Sequence, residues 1–418
     1  MARASSIALM FLAFCVVSAR ADQYWPSYRA QDFFRLRTGL PPLRPDEAED
    51  IRFLRAAMLA AFGRTEDSAR LLRGLLARPL KKRALEGQAR ELLMLDMRSQ
   101  FQYAAALRAV APLLASARSQ DGARLRELRN RAELLKAVAE VPAQTVRLGS
   151  GTPLAMDENA QVRVLLGRGA AHLAFDTGAN FSVLTHSAAV GLGVRIRRAD
   201  YSIASPLGGR VQADVAVVDF SFADGTRVAN ALFLVLPDQA LTMANGRPAD
   251  GLIGLPVIVA LGRIEFRPGR ALLDAAEEPA GATAELAMSA NDPLTRVSYR
   301  GHDLICRLDT GAERSVFYEP FYRLLGDVPS RRRSLRIGGA TGMLAFDTRD
   351  VGPLDISIAG RKITLAHAAV LTAPISGASN AGLACGIGRD ALRGLSYYAV
   401  DLKRMTLMLG PPGLGIRR

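Results

Sequence analysis

Within the 418 residues one short string occurs twice. Asp176-Thr177-Gly178-Ala179, followed by Ser182-Val183-Leu184, returns as Asp309-Thr310-Gly311-Ala312, followed by Ser315-Val316-Phe317, at an offset of 133 residues. The same offset carries Gly209 onto Gly342, and an offset of 134 carries Leu252-Ile253-Gly254 onto Gly386-Ile387-Gly388. A motif, its extension and its distant glycines sharing one register predict two copies of one folding unit.

The surroundings of each copy are β-type. Val162 and Val164 lead into the turn Gly167-Arg168-Gly169, and His172 to Phe175 run into Asp176; Val297 and Tyr299 lead into Arg300-Gly301-His302, and Leu304 to Leu308 run into Asp309. Short apolar runs separated by Gly, Asn and Asp continue from Pro142 to the C-terminus, the pattern of mainly antiparallel β structure. The expected fold is therefore mainly β: a first lobe over 143–275, a linker over 276–288 rich in Ala and Glu, and a second lobe over 289–418.

Before Pro142 the periodicity is helical. Phe53, Leu54, Ala57, Met58, Ala61 and Phe62 share one helix face, Thr65 is placed to cap a second helix through Leu76, and Pro79 ends it. Further helical stretches run through Leu92–Leu95, Tyr103–Leu114 and Leu125–Val138, with breaks expected near Pro112, Gly122 and Pro142. Residues 22–142 thus read as an all-α segment of helical hairpins, open to use as a scaffold, a docking arm for a protein partner or a pro-segment. Because the β repeat is complete without it, it also reads as separable. Ahead of it, Arg3, the apolar run from Ile7 to Val17 and the small-x-small triplet Ala19-Arg20-Ala21 predict a signal peptide over 1–21. An exported chain, periplasmic or secreted, with no stable membrane span after processing is the expectation. Removal of Cys15 with that segment leaves Cys306 and Cys385, which either pair or stay as buried thiols.

A hydrophobic pair running into Asp-Thr-Gly-Ala, with a hydrophobic-hydrophobic-Gly element downstream, resembles the retropepsin-like aspartic peptidases. The resemblance covers roughly Val146 to Gly410 and occurs twice in one chain. It implies duplicated acid-protease lobes forming a bilobal β-barrel-like domain, with Asp176 and Asp309 as the catalytic carboxylates on either side of one cleft. Two carboxyl groups in contact cannot both ionise cheaply, so they share a proton and provide a base and an acid together. A water can then attack a peptide bond without metal, cofactor or covalent intermediate. By the same resemblance, Thr177 and Thr310 tie the two loops together, Gly178 and Gly311 permit tight turns beside the carboxyls, and Ala179 and Ala312 stand where related enzymes often carry serine. Losing that hydroxyl favours a milder pH optimum. The turns at Leu207-Gly208-Gly209 and Gly339-Ala340-Thr341-Gly342 are the flap candidates.

Two departures stand out. Gly386 replaces the bulky residue expected ahead of Ile387, the alternative register through Leu383 to Gly386 being one residue off, and Arg307 occupies the strand position held by Ala174 in the first copy, free to reach a substrate carboxylate or the solvent. Other chemistries have little support. The net charge of +14 is spread along the chain, and no basic block alternates with aromatics as nucleic-acid binding requires. His172, His186, His302 and His367 fall at no metal-ligand spacing. The reading is an aspartic endopeptidase acting on a polypeptide substrate; its alternative is a catalytically silent peptide-binding or scaffolding protein on the same fold.

Overall fold

The structure is a computed structural model and describes residues 21–42, 44, 47–116, 122–204, 209–241, 249–275, 281–339, 342–373 and 382–413. All of the signal-peptide reading over 1–21 except Ala21 lies outside the described residues, as does the first part of the linker. No described helix is long and apolar enough to cross a membrane.

Seven described helices precede the β structure: α1 (Trp25–Arg29), α2 (Phe33–Gly39), α3 (Glu49–Ala61), α4 (Thr65–Leu76), α5 (Arg83–Ser99), α6 (Tyr103–Ser116) and α7 (Gly122–Val138). From α3 onward each packs on the next, as short connections between amphipathic helices dictate. Two local expectations fail. Thr65 is the first helical residue rather than the cap, and Arg64 at the cap position makes no side-chain capping bond. Pro112 lies inside α6, which runs on to Ser116. A proline there removes one backbone donor within the last turns, a loss that packing of Val110 and Leu113 into the core can offset.

Each lobe is a ring of strands. In the first, the order is Arg227–Leu236, Ser182–Thr185, Gly251–Ile253, Gly169–Phe175, Gln161–Leu166, Arg210–Phe222, and the last pairs back with the first. The second lobe repeats this order, but both long strands are divided. Gly342–Val351 and Leu354–Ile358 replace one, and Arg361–Leu365 and Ala368–Leu371 replace the other. Alternating side chains fill the rings: Ala171, Leu173 and Phe175 point inward in one copy, Leu304, Cys306 and Leu308 in the other.

The lobes are joined by a six-stranded sheet to which both contribute. Its centre is the antiparallel pair Arg263–Arg267 and Tyr398–Asp401. At one edge, Ala282–Glu285 pairs with Thr406–Leu409, so part of the stretch expected to be a linker is a strand.

The helices lie on both lobes. Residues of α5, α6 and α7, including Tyr103, Val110 and Leu135, share one apolar cluster with Phe181, Val183, Tyr201, Val215 and Leu234 of the first lobe. The helices α2 to α5 form a second cluster that takes in Ala287, with Ile305 packed against it. In α7 the Asn130 carboxamide both donates to the Ser202 carbonyl and accepts from its N–H, each at 2.8 Å. Ser202 belongs to the edge strand Arg197–Ala204, and its N–H and carbonyl are thereby satisfied as a neighbouring strand would satisfy them.

Candidate active site

The two Asp-Thr-Gly-Ala loops are built alike. The strand Gly169–Phe175 runs parallel to Gly251–Ile253, and the Asp176 N–H donates to the Ile253 carbonyl at 2.9 Å. In the second lobe His302–Leu308 runs parallel to Cys385–Ile387, and the Asp309 N–H donates to the Ile387 carbonyl at 2.9 Å. The serine of each extension closes the loop from behind: Ser182 Oγ accepts from the Gly254 N–H, and Ser315 Oγ from the Gly388 N–H, both at 3.0 Å. These bonds fix the downstream register as Leu252-Ile253-Gly254 against Gly386-Ile387-Gly388. Cys306 and Cys385, direct neighbours across the parallel pair, are joined by a disulfide.

The threonines interlock the loops. Thr177 Oγ1 donates to the Leu308 carbonyl at 2.8 Å and accepts from the Thr310 N–H at 3.0 Å; Thr310 Oγ1 donates to the Phe175 carbonyl at 2.8 Å and accepts from the Thr177 N–H at 3.0 Å. All four bonds are buried, where an unmade partner costs about 1–3 kcal/mol. The carboxyls follow from this lock. A Cβ on Gly178 would come within 2.7 Å of the Asp309 carboxyl, and one on Gly311 would press still harder on Asp176. Neither glycine has a positive φ. Close approach of the opposite carboxyl, rather than turn geometry, is what excludes a side chain at both positions.

Asp176 and Asp309 come within hydrogen-bonding reach of each other. Burial, reinforced by the neighbouring Asp309, pushes the Asp176 carboxyl up to about 7. The Gly178 N–H donates to Asp176 Oδ1 at 2.8 Å and the Ala312 N–H to Asp309 Oδ1 at 3.0 Å. Beyond these amides the two sides differ. Arg307 donates to Asp309 Oδ2 at 3.1 Å through one Nη and to Asp292 Oδ1 at 3.4 Å through the other. Its guanidinium is thus held by two carboxylates of its own chain. The phenol of Tyr318 lies 3.0 Å from where a Gly386 Cβ would stand, so it fills the space left by the missing bulky residue. At the offset of 133, Asn159, Ala174 and Thr185 occupy the places of Asp292, Arg307 and Tyr318. Comparing the two copies position by position points to this charged cluster; the motif alone passes over Asp292 and Tyr318.

The described flap candidates sit at the ends of paired strands. Gly339 pairs with Gly342 at the tip of the hairpin Ser330–Gly339 and Gly342–Val351. Gly209, next to Arg210 where it pairs with Ala204, has a φ of 78°, while Gly208 lies outside the described residues. A cavity of about 810 Å³ opens between the helices and the lobes, lined by Arg98, Phe181 and Asp292 but not by either motif aspartate. No group of three or more metal-ligating side chains occurs among the described residues.

Two strand rings whose Asp-Thr-Gly loops interlock at their junction define the aspartic peptidase class. Residues 159–257 match the family described as aspartyl protease, in support of an aspartic peptidase family. The matched stretch holds the first loop, its serine extension and the supporting Leu252-Ile253-Gly254. No curated protein matches the chain.

Proposed function

We propose that this protein is an exported aspartic endopeptidase in which Asp176 and Asp309 together activate the water that hydrolyses a peptide bond. The observation that carries the reading is the threonine interlock, which leaves two carboxyl groups in contact with a glycine, and no side chain, behind each. Such a pair holds one proton between them, and the displacement of Asp176 to about 7 puts the singly protonated state at mildly acidic to neutral pH. Positioned acid and base of this kind each contribute about 10² to 10⁴ in rate. Both aspartates lie on one chain, so a monomer suffices. The Cys306–Cys385 disulfide supports export, because such bonds persist in oxidising compartments.

The test is turnover of a quenched peptide library by the mature chain and by Asp176→Asn, Asp309→Asn and the double variant, with peptide binding measured separately. Asparagine keeps the shape but cannot pass a proton. Each single variant is expected to lose at least about 10³ in kcat, and the double variant little more, because the pair acts as a unit. Binding without turnover by the unmutated chain would instead establish the silent peptide-binding protein.

A further inference from the structure

The two halves of the site are matched in backbone and unmatched in charge, and that difference assigns roles within the pair. Among the described residues Arg307 is the cation in contact with the pair, and of the two carboxyls it touches Asp309. Its other contact is Asp292, and Tyr318 is the remaining titratable group facing it. Asp176 faces Asp309 directly and Arg307 at longer range. In the first lobe the corresponding positions, Asn159, Ala174 and Thr185, carry no charge. The guanidinium is held on both sides by carboxylates and its side chain is only 20% exposed, so solvent does little to screen it.

Building on the peptidase reading, we propose that Arg307 is a positioning residue that fixes the negative charge of the pair on Asp309 and the proton on Asp176. Hydrolysis then has one direction. Asp309 takes a proton from the water as its oxygen bonds to the scissile carbonyl carbon, while Asp176 gives its proton to the carbonyl oxygen. A neutral gem-diol results. In the second step Asp309 returns its proton to the amide nitrogen, one diol hydroxyl gives its proton to Asp176, and the C–N bond breaks. A carboxylic acid and an amine leave, and the pair is back in its starting state. The nearby positive charge favours ionised carboxyls throughout, so burial of Asp176 raises its proton affinity against the pull of Arg307.

The pH dependence of kcat/KM on a quenched peptide separates this role from a structural one. Arg307→Met removes the charge and is expected to move both limbs of the profile to higher pH by about one unit or more, the size of effect an opposite charge within about 4–6 Å exerts. Arg307→Lys should return the limbs toward their original positions. Asp292→Asn removes a competing carboxylate and should move them the other way, to lower pH, which keeps the inference testable if Arg307→Met does not fold. A uniform fall in kcat/KM with both limbs unmoved in Arg307→Met, or limbs unmoved in Asp292→Asn, would overturn it. The peptidase reading fails separately, if the unmutated chain shows no turnover or if Asp176→Asn and Asp309→Asn keep it.

Discussion

Asp96 in α5 shows how one residue can carry a chain's response to pH. Its side chain is buried, one carboxyl oxygen has no hydrogen-bond partner, and burial pushes it up to about 7. An unfolded chain releases that proton near its ordinary value of 3.8. Between these limits the folded state binds more protons than the unfolded one, so stability falls as pH rises from about 4 to 7 and levels off above. Asp96→Asn removes this contribution, and the variant's Tm should gain on the unmutated chain steadily across that window; parallel Tm curves would contradict it. Nothing in the sequence marks Asp96 among the polar residues of its helix. The carboxyls of Asp176 and Asp309 are different: two copies of one motif identify them, because the geometry that needs a glycine and a threonine beside each aspartate is local enough to be written in consecutive residues.

At the scale of elements, the loop supports show one job done by two sets of residues. Leu252 provides bulk ahead of Ile253 in the first lobe, whereas in the second Gly386 leaves a space that Tyr318 fills from the chain after Phe317. Gly386→Leu alone meets the Tyr318 phenol and should destabilise the fold, as overpacking by this amount typically costs about 1–3 kcal/mol. Tyr318→Thr alone leaves a cavity of comparable cost. Combined, the two rebuild the arrangement of the first lobe and should cost less than their sum, a coupling that urea unfolding of the two single variants and the double variant measures. Strict additivity would show that the residues do not share the space. In the sequence Gly386 looks like a weak support, since the compensating tyrosine lies 68 positions away, on a different strand segment.

For the whole molecule, the helices are the element whose place the sequence leaves open. The β repeat looks complete by itself, yet Val183, Tyr201, Val215, Leu232 and Leu234 of the first lobe are buried in a cluster shared with α5, α6 and α7. A chain starting at Ala143 would turn this surface to water, at about 25 cal/mol for each Å² of apolar area exposed. It should aggregate or bind an apolar dye, and adding residues 22–142 as a separate polypeptide should suppress both, as read by size-exclusion chromatography. A monomeric, dye-free 143–418 chain would restore the view of a separable arm. Because α7 also holds the edge strand Arg197–Ala204 through Asn130, the helices brace one of the two hairpins whose turns are the flap candidates.

Periodicity, turn residues and the duplicated motif already contain the helical segment, the two β lobes and the pair of aspartates, because each depends on neighbours within a few residues or on a repeat that copies itself. Contacts between distant segments leave no such trace. The pairing of Cys306 with Cys385, the sheet joining the lobes, the seat of the helices on both rings and the grip of Arg307 on Asp309 all arise when strands far apart in the chain become adjacent. The charge asymmetry of the site is therefore present in the residues but acquires its meaning from folding, which brings Arg307 between Asp292 and Asp309, in contact with Asp309 and at longer range from Asp176.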